Sequence, residues 1–270
     1  MTIFLIYAFL IVATFTMLVP YYWMFLTSIK PQEEIQTYPP RLYVENPSIE
    51  PYRQLLDLIP MGRYILNSLF VCICVVLFKV FACSLAGYAL AKHNFWGRDL
   101  IFMLFLVSLM IPWQVNIIPG FLIVKKLGWL NSFKGLIIPT LGWGAFGIFL
   151  SRQYIFSIPN DLIDSARIDG CTEFQIYKNV ILPLIRPVLA TLAIFTFIQQ
   201  WNNLVWPLVI ISDANMKTVP LALSTLSSST SSNFGMLMAA AVMATAPMLV
   251  VFLLLQRYVI RGIALTELKS

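Results

Sequence analysis

Runs of uninterrupted apolar residues along this chain are separated by shorter segments in which nearly all of its charges lie. The runs do not alternate apolar with polar positions, as the strands of a membrane barrel must. They are long enough to cross a bilayer as helices, which needs about 20 residues per crossing. The pattern predicts spans over approximately 3–28, 64–90, 100–118, 135–154, 187–211 and 234–256. The expected fold is therefore all-α and polytopic, with about six transmembrane helices in one domain covering 1–270.

The segments between the runs refine this picture. Tyr21, Tyr22 and Trp23 form an aromatic belt at the far end of the first span. Residues 30–63 hold Glu33, Glu34, Glu45, Glu50 and Asp57 together with six prolines, and read as an extramembrane loop rather than a domain. Pro112 bends the third span or ends it early. A short connector with Lys125, Lys126 and Lys134 leads into the fourth, which is tight for a crossing. Residues 213–232 read as a polar loop with a Ser/Thr-rich run. The first span lacks the basic n-region of a cleaved signal and is expected to remain in the protein.

Composition agrees with a bilayer environment. Apolar residues make up 59% of the 270 and charged residues 11%, against about 25% charged in ordinary soluble domains. The net charge of +6 comes from scattered Lys and Arg rather than a basic cluster, so nucleic acid is not an expected partner and membrane lipid is. Excluding Lys79, nine basic residues fall on the side of the termini and eight on the other, too even a split for the positive-inside rule to orient the chain. Cys72, Cys74, Cys83 and Cys171 read as small apolar fillers. His93 is the single histidine. With no metal-ligand cluster, no nucleophile–base set and no phosphate-binding loop, no catalytic residue and no metal are expected.

The most informative segment is 157–187, SIPNDLIDSARIDGCTEFQIYKNVILPLIRP. Ser157 or Asn160 can cap a short helix, with Pro159 in its first turn. Gly170 supplies the positive φ that ends it. Thr172 and Gln175 form a capping box for a second helix, which Pro183 and Pro187 close before the next span. The prediction is a helix–turn–helix on the membrane surface over 157–183, slim at its middle where Ser165, Ala166, Gly170 and Cys171 allow close approach of another surface. Its four acids, Asp161, Asp164, Asp169 and Glu173, oppose docking on anionic lipid and favour a protein partner.

This run resembles the EAA loop of bacterial ABC-importer permeases, Glu-Ala-Ala-x-x-Asp-Gly-Ala followed downstream by Ile-x-Leu-Pro. Asp164 stands for the Glu, Ser165 for the first Ala and Cys171 for the last, while Ala166, Asp169 and Gly170 match and Ile181, Leu182 and Pro183 also fit. PYYWMFLTSIKP at 20–31, LAGYALAK at 85–92, NSFKGLIIP at 131–139, WNNLVWPL at 201–208 and QRYVIRGI at 256–263 are similar to the carbohydrate-uptake branch, the MalG/UgpE-type subunits. The resemblance implies a permease subunit of an ATP-driven importer in the bacterial inner membrane, with both termini cytoplasmic. It implies a heterodimer with a second permease, two ATPase subunits that carry ATP and Mg, and an extracytoplasmic solute-binding protein, with no cofactor in this chain. On this reading Asp164, Ser165, Ala166, Asp169, Gly170, Cys171 and Pro183 serve ATPase coupling. The resemblance also implies that the tail 261–270 reaches the ATPases and the loop 213–233 the binding protein.

Gln199, Asn202, Asn203 and Trp206 recur at helical spacing and predict one polar face on the fifth span. Such amides mark either a solute pathway or contacts between helices, and beside an indole they suit a sugar or polyol. Gln114 in the third span is a further candidate. Lys79 is the one charge inside a predicted span; it is a functional charge, a snorkelling one or one with a partner. The alternative function is an ion-coupled secondary transporter, but the spans contain no Asp or Glu to bind a coupling ion.

Overall fold

The computed structural model describes residues 2–229 and 233–267, and every regular element among them is helical. In chain order the helices are α1 (Thr2–Ser28), α2 (Gln32–Ile35), α3 (Glu50–Leu58), α4 (Met61–Lys92), α5 (Arg98–Leu109), α6 (Ile117–Lys126), α7 (Phe133–Leu141), α8 (Ala145–Phe156), α9 (Asn160–Ile168), α10 (Glu173–Ile176), α11 (Leu182–Leu184), α12 (Arg186–Trp201), α13 (Val205–Ile210), α14 (Val219–Ser229) and α15 (Phe234–Glu267). Segments within α1, α4 and α15 are individually long and apolar enough to cross a membrane, and the total is up to six if each of three bent pairs is one span. The chain is a polytopic all-α protein.

Several spans depart from the straight helices expected. The third stops at Leu109, three residues before Pro112, and resumes after a turn of 94° as a 3₁₀ turn and α6, which runs on to Lys126. The stretch expected as a basic connector is thus largely helical. Its end is a Schellman turn in which Gly128, at φ 70°, lets Trp129 N–H reach Val124 C=O at 3.0 Å. The fourth span breaks by 46° between α7 and α8 at Gly142–Gly144. The fifth ends at Trp201 and its apolar sequence resumes in α13. Pro207 explains that gap, because its ring would meet the Asn203 carbonyl in a continuous helix.

Two compact units make up the chain, the first being residues 1–66 with 218–248 and the second 67–217 with 249–270. In the first, the apolar side chains of α1 face outward over most of its length. The 30–63 segment is ordered by specific bonds: Lys30 Nζ donates to Arg41 C=O at 2.6 Å, Ser28 and Tyr52 hydroxyls meet at 2.9 Å, and the Glu34 carboxylate accepts from Asn46 N–H at 2.9 Å. Leu55 of α3 packs with Leu226 of α14 and Met236, Ala239 and Ala240 of α15. The segment 213–232, expected as a polar loop, is helical over α14. Val219, Ala222 and Leu226 recur on its buried side between exposed serines, so burial decides the conformation.

In the second unit α4 crosses α8 at very close range. A Cβ on Gly87 would stand 2.7 Å from Ser151 Cβ and 2.9 Å from Arg152 N, and one on Gly147 2.8 Å from Cys83 Sγ. Cys83 and Gly87 on one helix and Gly147 and Ser151 on the other form paired small-x-x-x-small faces, which let membrane helices approach backbone to backbone. Cys83 acts there as the small filler its sequence context suggested.

Candidate functional site

The helix–turn–helix forms between the fourth and fifth spans as α9 and α10. Neither Ser157 nor Asn160 caps α9, contrary to expectation. Ser157 Oγ donates to Tyr154 C=O at 2.9 Å, Pro159 occupies the cap position, and Asn160 is the first helical residue. Proline suits that place because the missing N–H would have no helical partner. Asn160 instead tethers the loop, its Oδ1 accepting from Lys92 Nζ at 2.8 Å while the same ammonium reaches Ile158 C=O.

The turn is stiff for reasons visible in the sequence. Gly170 has φ 79°; Cys171 N–H donates to Ala166 C=O and Gly170 N–H to Arg167 C=O, each at 3.0 Å. This is the Schellman closure of α9. The reciprocal capping box follows, Thr172 N–H to Gln175 Oε1 at 2.7 Å and Gln175 N–H to Thr172 Oγ1 at 3.4 Å. Beyond α10 the helix widens into a π turn over Tyr177–Ile181. Pro183 accounts for it, since its ring cannot sit against the Asn179 carbonyl of a regular helix. Pro183 therefore does not end the helix as expected; the chain turns at Ile185, by 79°.

The inner side of this loop is bolted to the end of α4. Ile163, Ala166, Ile176, Tyr177 and Ile181 are buried against Tyr88 and Ala91 of α4 and Ile155 of α8. Ser84 and Tyr177 hydroxyls share a buried hydrogen bond of 2.7 Å. The Glu173 carboxylate accepts from Tyr88 Oη at 2.8 Å and Arg167 Nε at 3.0 Å, with His93 Nε2 at 3.3 Å. Partial burial alone would raise the Glu173 pKa, but the bonds from Tyr88 and Arg167 outweigh it and hold the carboxyl below its ordinary range. Tyr88 and Lys92 both lie in the LAGYALAK stretch, whose anchoring role sequence reasoning missed.

The outer side of α9 remains uncovered. Asp164, Ser165, Asp169 and Gly170 are exposed, and Ile168 is 87% exposed. Ala166 faces inward and Cys171 is partly buried against the inner cluster. The seven residues expected to serve coupling thus divide. Asp164, Ser165, Asp169 and Gly170 present a surface, Ala166 and Cys171 secure it, and exposed Pro183 shapes the helix that follows.

A second site lies among the bent helices. A cavity of about 200 Å³ is lined by Lys79 of α4, Trp113, Trp143, and Gln199, Asn202 and Asn203 at the end of α12. The amides expected on one helical face gather here instead around a helix end. Asn202 is the C-terminal cap of α12 and its Nδ2 donates to Ile198 C=O at 3.0 Å. Trp206, expected on the same face, lies 1% exposed elsewhere, and its Nε1 donates to Gly135 C=O at 2.9 Å. Pro139 has no N–H to offer that carbonyl, so Trp206 restores a bond that Pro139 removes from α7. Trp206 is a packing residue. Gln114 is exposed and is not among the lining residues; its neighbour Trp113 is. Among the described residues no cluster fit to hold a metal occurs. Of the tail 261–270, residues 268–270 lie outside the described residues, as do 230–232 of the loop 213–233.

Residues 83–265 match the model of the family described as binding-protein-dependent transport system inner membrane component. The arabinooligosaccharides transport system permease AraQ of Bacillus subtilis is 33% identical, over 94% of this chain and 91% of its own. The diacetylchitobiose uptake permease DasC of Streptomyces coelicolor is 32% identical over 93% and 91%. The sn-glycerol-3-phosphate permease UgpE of Pectobacterium atrosepticum is 33% identical over 77% and 74%. In fold, the chain superposes on a bacterial ABC transporter involved in the import of the acidic polysaccharide alginate, with a TM-score of 0.83 at 23% identity, covering 95% of this chain and 96% of that one.

Proposed function

Because the chain belongs to the family of binding-protein-dependent transport system inner membrane components, we propose that it is one half of the membrane pathway of an ATP-driven importer for a sugar or sugar-like solute. Arabinooligosaccharides, diacetylchitobiose and sn-glycerol-3-phosphate are the solutes named for its relatives. A second permease completes the pathway, an extracytoplasmic binding protein delivers the solute, and two ATPase subunits bind ATP and Mg and hydrolyse the ATP. Both termini are cytoplasmic in this arrangement. The secondary-transporter alternative has no support from the relatives and no intramembrane carboxylate to couple an ion.

The observation that carries the reading is the shape of the 160–172 segment. It pairs an unpartnered outer face, crowned by Ile168, with an inner face fixed to α4 and α8. A lever must be stiff where it is pushed and attached where it pulls. The Schellman turn and capping box supply the first property, and the Tyr88, Lys92 and Glu173 bonds supply the second. Closure of the ATPases would push on Ile168 and the Asp164–Gly170 face, and the load would pass into α4.

Ile168→Arg tests this cleanly, because the side chain is almost wholly outside the chain's own packing. The expected result is a folded membrane protein that no longer co-purifies with its ATPase. Full assembly and ATP-driven uptake in that variant would remove α9 as the docking helix.

A further inference from the structure

We infer that the cavity around Lys79 is a subsite for an anionic saccharide or polyol, one bearing a carboxylate or a phosphate. The inference rests on the permease reading and deepens it by naming a substrate class.

Lys79 is 6% exposed and stands in the apolar body of α4, thirteen residues from Lys92. That is about 20 Å of helix at ~1.5 Å per residue, beyond the reach of a side chain that snorkels to the headgroups. An ammonium ion at such depth is costly, and such charges face a partner or line a pathway. Among the described residues Lys79 makes no ion pair and no hydrogen bond. The predicted spans contain no Asp or Glu that could serve. Lys79 lines the cavity instead.

The rest of the lining fits a hydroxylated anion. Gln199 and Asn203 bring amides that donate to and accept from hydroxyls. Trp113 and Trp143 stand 5.7 Å apart at 48°, a tilted pair able to pack on the apolar face of a sugar ring. Lys79, Trp143 and Gln199 also line a smaller cavity of about 40 Å³. A charge-assisted bond from Lys79 to the anion would satisfy the ammonium and orient the solute. A neutral sugar would leave it unsatisfied.

The test uses the full transporter, with partner permease and ATPases, in detergent. A water-soluble acetylating reagent reports the reactivity of Lys79 by mass spectrometry, with glucuronate, glucose 6-phosphate or glucose as the probe. At ten times its dissociation constant a bound anion slows acetylation about tenfold by mass action. Protection by either anion, with none by glucose, is the expected result, and the two anions separate carboxylate from phosphate recognition. Titration calorimetry of Lys79→Gln should show at least a tenfold loss of affinity for the protecting anion. Equal protection by glucose, protection by none, or a lysine unreactive throughout would overturn the inference. A carboxylate of the partner permease bound to Lys79 would give the last two outcomes. The permease reading stands or falls separately, on ATPase co-purification and ATP-driven uptake.

Discussion

Gly170 separates two reasons why a glycine is needed in the turn that follows α9. Its φ of 79° lies in the left-handed region, and no atom stands within 4 Å of where a Cβ would sit. The intramolecular cost of Gly170→Ala is therefore backbone strain alone, about 1–2 kcal/mol. Asn tolerates this conformation better than Ala, so Gly170→Asn should lose less. At roughly 2–4 °C per kcal/mol for a chain of this size class, the Ala variant should melt a few degrees below wild type and the Asn variant between the two. Intrinsic fluorescence of the purified protein during heating measures both. ATPase docking should not follow this order. Both variants place a side chain on the exposed face that the partner must approach, so both should co-purify poorly with the ATPase. An Asn variant that assembles like wild type would refute close approach and leave the glycine with a turn-forming role only. An Ala variant as stable as wild type would refute the strain argument.

Other perturbations follow from the same geometry. Gly87→Leu forces a side chain into Ser151 and the Arg152 backbone, and overpacking of that kind should cost about 1–3 kcal/mol or more, read as a lower melting temperature and poor membrane yield. Trp206→Phe keeps an aromatic side chain but removes the indole N–H, orphaning the Gly135 carbonyl, and leaves part of the buried site unfilled; a loss of at least about 1–3 kcal/mol is expected, with ATPase co-purification unchanged once the protein is folded. The Glu173 pKa is held below its ordinary 4.5 in the folded chain, so its contribution is fully present above that value and disappears as pH falls through the lower folded value. The melting-temperature gap between wild type and Glu173→Gln should therefore be open at neutral pH and close below pH 4.5. A gap that widens on acidification would contradict this sign.

The helix–turn–helix was legible almost residue by residue. Gly170, Thr172 and Gln175 act within one turn of their own positions, and local rules reach that far. The misassigned caps are instructive: Ser157 and Asn160 are both good capping residues, but Lys92, remote in sequence, claims Asn160. The breaks at 142–144 and 202–204 were signalled by Gly142, Gly144 and Pro207. Hydropathy averages across such residues, so it returned unbroken spans.

By itself the sequence determined a helical membrane protein of about six crossings, the helix–turn–helix between its fourth and fifth spans and the residues that shape that turn. Bilayer hydropathy and helix capping both act over short stretches of chain. Only the tertiary structure decided that Trp206 packs away from the amides, that Tyr88 and Lys92 hold the loop, and that Lys79, Gln199 and two indoles from three other segments share one cavity. A helical period assigns faces only while the helix continues. Past a break, the direction of a side chain is set by the neighbours it packs against, and those lie far away in the sequence.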